Sequence, residues 1–338
     1  METIALHKTT IIRPFTDYLN QVVAPVERIL RLVKLPALAL DDPDYYISSL
    51  AFWAFVEKMA TIEGIPDLGF LVGKHFGANS LDPNYRKVLA NTPSLYHALI
   101  KTCLAVNTGT SRSHMLVYSV RPGSTQFCHR TSYGVKHSNQ QRMEWFALAA
   151  MIAIVQEFTG PLWRPKEIGL MSSHAPSNLI REYLPNGLFR SNQIYGHINI
   201  ETPLLSLPPL TKNNKRFVEP DPTLKLSTLG VPAVDFIGSL KQALQAHLIE
   251  GTPKIELAAE MTGTSVRTLQ RELAKTKLSY IKLLAQARFD TASRLLQDNN
   301  LRVDEIAFRL GYQDASHFAR AFRRSSGMSP TEYRKASN

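Results

Sequence analysis

Two stretches near the C-terminus decide the reading of this sequence: residues 255–273, IELAAEMTGTSVRTLQREL, and residues 303–327, VDEIAFRLGYQDASHFARAFRRSSG. In the first, Ile255, Leu257, Ala258 and Met261 are spaced to face one core. Gly263 supplies a tight turn, and the Ser265 hydroxyl is placed to accept a free backbone N–H at the start of a second helix. Val266, Leu269 and Leu273 recur at three and four residues and give that helix a buried stripe. Arg267, Thr268, Gln270 and Arg271 are left on the opposite face. The second stretch repeats the design. Val303, Ile306, Ala307 and Leu310 form a stripe, Gly311 ends the helix and Asp314 caps the next. Phe318, Ala321 and Phe322 turn inward, and Ser316, His317, Arg320, Arg323 and Arg324 turn outward. A single long helix over residues 280–297 is expected between the two.

Each stretch is a helix, a tight turn and a second helix with a polar, basic outer face. The major groove of DNA admits one helix, and a helix-turn-helix presents its second helix there. Arginine pairs bidentately with guanine, glutamine with adenine, and serine or histidine supplies single bonds. Cations set to the side, such as Lys275 and Lys277, suit phosphates. One such stretch alone could be an ordinary helical hairpin. Two at fixed separation, joined by one helix, argue for DNA binding.

The pattern over residues 236–336 resembles the arabinose-regulator family of bacterial transcription factors, AraC/XylS. Ala258, Gly263, Ser265, Leu269, Gln270, Arg271 and Leu273 carry the resemblance in the first unit, and Arg288, Ala292, Leu295 and Leu296 in the connecting helix. In the second unit it rests on IAFRLGY (306–312), Phe318, Arg320-Ala321-Phe322, Gly327, Ser329-Pro330 and Tyr333-Arg334. The resemblance implies a non-enzymatic regulator of promoter DNA, usually an activator that meets RNA polymerase. By position it makes Arg267, Gln270 and Arg271 base readers in one groove segment and Ser316, His317 and Arg320 in the next. Lys275, Lys277, Arg323 and Arg324 would face the backbone. Position 315 is Ala, so the second reading helix starts with little hydrogen-bonding capacity.

Charge agrees. The 338 residues carry a net +11, and residues 236–338 hold 16 Lys/Arg against 10 Asp/Glu, over half of the excess. With 44% hydrophobic residues the chain is globular material for about two domains. The longest apolar stretch, residues 145–155, is half the length a membrane span requires. No secretory signal opens the chain. Two cysteines, Cys103 and Cys128, make neither a disulfide framework nor a four-cysteine metal site. These features predict a soluble protein in a reducing cytoplasm; the resemblance implies a bacterial one, at the nucleoid when bound to DNA.

Residues 203–235 contain six prolines up to Pro232 and the polar run TKNNKR, and read as a linker. The expected organisation is an α+β effector or dimerisation domain over 1–202, this linker, and an all-α DNA-binding domain over 236–338. In the first domain, helices are expected over 48–63, within 84–106 with a break near Pro93, over 139–158 and near 176–184. Strands are expected within 114–130 around a Pro122-Gly123 turn, and over 167–172 and 194–200. This half resembles the helix-rich branch of the family more than the cupin barrel of its sugar-responsive prototype. It implies a small-molecule effector, a homodimer, or both, and no cofactor.

Three rival readings have residues behind them. FCHRT, residues 127–131, is similar to the Pro-Cys-His-Arg site of DNA alkyltransferases, but Phe127 replaces the proline and such chemistry needs a low-pKa thiolate. Histidines 75, 97, 114, 129, 137, 174 and 197 invite a metal, yet none forms a close ligand pair. A purely architectural DNA binder would not need a mixed domain of this size.

Overall fold

The computed structural model describes residues 3–40, 42, 45–75, 91–131, 140–210 and 231–337. The chain opens with strand β1 (Leu6–Lys8), helices α1 (Arg13–Gln21) and α2 (Val26–Leu32), strand β2 (Tyr46–Ser48), and helices α3 (Ser49–Ile62), α4 (Leu68–Lys74) and α5 (Leu95–Gly109). It continues through β3 (Ser113–Arg121), β4 (Ser124–Thr131), α6 (Gln140–Thr159), β5 (Glu167–Gly169), α7 (Asn178–Tyr183), β6 (Leu188–Arg190) and β7 (Gly196–Glu201). Helices α8 (Phe236–His247), α9 (Ile255–Met261), α10 (Val266–Lys275), α11 (Tyr280–Leu295), α12 (Val303–Arg309), α13 (Ala315–Ser326) and α14 (Pro330–Ser337) complete it. Contacts divide the chain into two units. The N-terminal unit is Thr10–Ile29 with Trp53–Val231; the C-terminal unit is Met1–Thr9 and Leu30–Phe52 with Pro232–Asn338.

The N-terminal unit is α+β. Its five-stranded sheet has the order β3-β4-β7-β5-β6. β3 and β4 form the expected hairpin, pairing Leu116 with Cys128 and Val117 with Phe127, and Gly123 takes φ +83° in the turn. β6 lies parallel to β5, while the other pairings are antiparallel. Phe127, Ile168, Ile198 and Ile200 share one buried cluster with Trp145, Leu148, Met151, Ile152 and Val155 of α6. α4 approaches α6 so closely that a Cβ at Gly69 would collide with the Arg142 carbonyl, and one at Gly73 with that of Phe146. The turn at residues 208–210 and the short 3-10 helix Thr202–Ser206 belong to this unit. Leu204, Leu205 and Leu207 pack on its core, and the Leu210 N–H donates to Glu157 O at 3.0 Å.

The C-terminal unit is helical apart from one ribbon. β1 and β2 pair antiparallel, Leu6 opposite Ser48. Ile4, Leu6 and Tyr46 join Leu240, Leu244, Leu269, Leu273 and Leu283 in one core. Hydrogen bonds pin the ribbon there, from Ile4 N to Ser239 Oγ at 3.0 Å and from Ser48 Oγ to Met261 O at 3.1 Å.

Two boundaries therefore differ from the sequence reading. Residues 3–9 and 30–52 fall inside the expected 1–202 domain, yet they pack in the C-terminal unit, because their apolar side chains complete its core. The expected 203–235 linker is shorter at its start, because its leucines bury and its backbone is bonded. Residues 211–230 of that linker, residues 84–90 of an expected helix and His137 lie outside the described residues. The other expected helices and strands are present with shifts at their ends; α1, α2, α4, α14, β1, β2 and β6 are additions, the three strands too short to show a period.

The alkyltransferase-like chemistry finds no support in this unit. Cys128 is fully buried in β4, and burial pushes its thiol up to about 12, so it stays protonated. No group of three His, Cys, Asp or Glu side chains among the described residues could hold a metal ion. No helix among them is long and apolar enough to cross a membrane.

Two outcomes follow from this packing. Leu6→Ala should cost about 2–5 kcal/mol in the C-terminal unit, read as faster amide exchange in α8 and α9; unchanged exchange there would place β1 outside that core. His129, buried in β4, is pushed down to about 4 by burial and secondarily by His114. Its folded pKa lies below the ordinary 6.5, so its contribution is complete above that pH and is lost as the pH falls toward 4. Urea unfolding of His129→Gln should be less sensitive to pH across this window than unfolding of the parent chain.

Candidate nucleic-acid interface

The first helix-turn-helix is α9 and α10. Gly263 takes φ +64° at the turn, and its N–H donates to Glu260 O at 3.0 Å. Ser265 Oγ accepts from Thr268 N at 3.2 Å, so the cap expected from sequence is formed. Leu269 and Leu273 are buried, while Arg267, Gln270 and Arg271 are exposed on the other face. Thr268 is half-buried and its hydroxyl lies 3.0 Å from Ser265 Oγ, so it serves the cap rather than the outer face.

Lys275 and Lys277 are exposed beyond this helix. Lys277 adopts φ +57°, with its N–H on Ala274 O and that of Leu278 on Leu273 O. It thus closes the helix in the left-handed conformation usual for glycine. Sequence reasoning passed over Glu272. Its side chain is 10% exposed, 2.8 Å from Lys275 Nζ and 4.0 Å from Arg271 Nε. The hydrogen bond from Lys275 holds its carboxyl below the usual range. An ionised carboxylate therefore tempers two of the cations beside the outer face.

The second unit is α12 and α13. Gly311 takes φ +77° between them. Asp314 accepts from His317 N at 2.7 Å and caps α13, and its carboxylate also lies 3.7 Å from His317 Nε2. Phe318 and Phe322 are buried, and Ser316, His317, Arg320, Arg323 and Arg324 are all exposed. Gly327 ends the helix at φ +79°.

Helix α11 joins the units. Leu283, Leu284 and Ala287 pack in the first core, and Ala292, Leu295 and Leu296 in the second. Between these sets, Arg288 donates to Thr252 Oγ1 and stands 5.8 Å from the Tyr312 ring centroid. The closing GMSPTEYR motif proves structural. Ser329 and Glu332 cap α14 reciprocally, Ser329 N on Glu332 Oε2 at 2.7 Å and Glu332 N on Ser329 Oγ at 3.3 Å. Tyr333 meets Phe322 edge-on at 5.2 Å, and Arg334 donates to Leu296 O at 3.0 Å and Leu301 O at 2.7 Å.

Comparison with known proteins accords with this geometry. Residues 258–336 match a family model described as a helix-turn-helix domain, and residues 24–185 match one described as the N-terminal arabinose-binding domain of the AraC transcription regulator. The chain belongs to the AraC family of transcription regulators. Among its relatives, the ornithine utilization regulator of Pseudomonas aeruginosa is 39% identical over 84 residues, covering 25% of this chain and 25% of that protein. The transcriptional activator RhaS of Salmonella arizonae is 35% identical over 116 residues, 33% of this chain and 41% of that one. The matched parts thus span well under two thirds of these relatives. The crystal structure of the regulator CdpR from Pseudomonas aeruginosa aligns over 96% of this chain and 98% of that one, at 20% identity and TM-score 0.44. These two relatives are named as a regulator and a transcriptional activator, not as enzymes.

The caps fix where each outward-facing helix begins. Ser265→Ala and Asp314→Ala should each cost about 1 kcal/mol, with increased amide exchange confined to the first turn of α10 or of α13. A loss spread evenly over both helices would mean that the caps do not act locally.

Proposed function

We propose that this chain is a sequence-specific DNA-binding regulator of transcription, acting as an activator in the bacterial cytoplasm. The observation that carries the proposal is the pair of capped helices, α10 and α13, each burying an apolar stripe and exposing polar and basic side chains, held by one connecting helix. Arg267, Gln270 and Arg271 read base edges in one major-groove segment of double-stranded promoter DNA, and Ser316, His317 and Arg320 read the next. Lys275, Lys277, Arg323 and Arg324 contact phosphates and nucleoid DNA at large. Activation works through RNA polymerase, in keeping with the activator name of RhaS.

The N-terminal unit supplies control, through a small molecule or through formation of a homodimer. The match of residues 24–185 to an arabinose-binding domain supports a small-molecule effector. Two copies would set four helix-turn-helix units on two half-sites and multiply weak contacts.

Gel-shift titration of the full chain against DNA upstream of its own gene tests this reading. Binding should weaken steeply with salt and favour one sequence over others. Arg271→Ala and Arg320→Ala should each lose about 1–3 kcal/mol of discrimination at one base position, whereas Lys277→Ala should weaken all sequences alike. Equal affinity for every duplex at physiological salt would remove specific readout from the proposal.

A further inference from the structure

The C-terminal unit contains a cleft of about 280 Å³, at the low end of the size of small-molecule sites. One wall is the segment that includes Arg31, Lys34 and Leu35, and the other includes His247, Glu250, Pro253 and Leu257, at the entry to α9. His247 lines the cleft and is only 8% exposed. Burial pushes it down to about 4, so at neutral pH it offers one N–H and one bare nitrogen.

The charges at the cleft are of both signs. Lys34 Nζ is held by both carboxylate oxygens of Glu260, at 2.5 and 2.7 Å. Arg31 adds a guanidinium. On the facing wall, Glu250 Oε1 accepts from Leu38 N at 3.0 Å, which leaves its second oxygen as a further acceptor. Leu35, Pro253 and Leu257 supply apolar surface. A simple anion would meet Glu250, and a simple cation would meet Arg31. A molecule bearing one charge of each sign next to a short apolar group satisfies both walls.

We infer that this cleft binds a free α-amino acid with an aliphatic side chain. Its carboxylate lies on Arg31, its ammonium on Glu250 and its side chain on Leu35, Pro253 and Leu257, with His247 hydrogen-bonded to the polar end. Occupancy ties residues 31–38 to the segment leading into α9 and steadies the first helix-turn-helix. This last consequence rests on the DNA binding proposed above; the binding itself does not.

Calorimetric titration of the full chain with L-leucine, 4-methylpentanoate and 3-methylbutylamine tests the inference. The second probe lacks the ammonium and the third the carboxylate. L-leucine should bind saturably, and each analogue at least about tenfold more weakly. Glu250→Gln, whose amide oxygen can still accept from Leu38 N, should lose about tenfold for L-leucine and nothing for 4-methylpentanoate. Arg31→Gln should lose about tenfold for L-leucine and nothing for 3-methylbutylamine. The His247 ring nitrogen resonances should move with L-leucine in the parent chain. No saturable binding up to about 10 mM, equal binding of either analogue, or unchanged affinity in both variants would overturn the site. If L-leucine binds as expected while no duplex is bound with preference, the site stands and the DNA-binding proposal fails. If both bind and L-leucine leaves duplex affinity unchanged, the coupling to the first helix-turn-helix is overturned.

Discussion

The arrangement of the C-terminal unit depends on how α11 divides its side chains. Leu283, Leu284 and Ala287, towards its start, are buried with α9 and α10; Ala292, Leu295 and Leu296, at its end, are buried with α12 and α13. A helix of 16 residues is a rod about 24 Å long. Because each half is locked into a different core, the rod fixes both the separation and the relative rotation of the two helix-turn-helix units. Each residue added between the two sets would turn one unit by about 100° against the other. Arg288 sits at the changeover, and its bond to Thr252 and its position near Tyr312 tie the two ends of the unit to the same point of the rod.

Given that frame, each outward-facing helix needs only to be started and stopped in the right place. Ser265 and Asp314 start them, and Lys277 and Gly327 stop them in left-handed conformations. Buried leucines on α10 and buried phenylalanines on α13 then settle which face looks out. The outer faces are not equivalent. α10 places Glu272 beside Lys275 and Arg271, and so moderates its positive field. α13 carries Arg320, Arg323 and Arg324, and its acidic neighbours, Asp314 and Glu332, are occupied at the caps of α13 and α14.

The C-terminal helices were legible because their information is local. Apolar residues three and four apart, a glycine at each turn and a capping side chain at each start specify the elements without reference to the rest of the chain. Arg267, Gln270, Arg271, Ser316, His317, Arg320, Arg323 and Arg324 followed from the same periodicity and are exposed, whereas Thr268, expected on the same face, is half-buried at the cap. What escaped was non-local or singular. β1 is three residues long and meets β2 and α8 across large gaps in sequence, which no window can register. Glu144 looks out of place in an apolar helix, yet its carboxylate is buried because it accepts the N–H groups of Met171 and Ser172. The prolines of 203–210 excluded a long helix correctly but could not reveal that the intervening leucines are buried.

The two helix-turn-helix units differ in what completes them. The second closes its core with neighbouring sequence: Tyr333 covers Phe322, and Arg334 binds the carbonyls of Leu296 and Leu301. The first borrows from far away. Ser48 bonds the carbonyl of Met261 at the end of α9, Lys34 pairs with Glu260 one residue earlier, and Leu50 lies against Gly263 in the turn. Residues 30–52 thus touch the first unit at the point where its chain reverses direction. A change in the hold of that segment would act directly on the support of α10. It would reach α13 mainly through the side chains of α11, such as Arg294, which lies 3.5 Å from Asp42 and over the ring of Tyr45 at 4.5 Å. Any influence exerted through residues 30–52 therefore falls on the first helix-turn-helix before the second, and the two are not interchangeable.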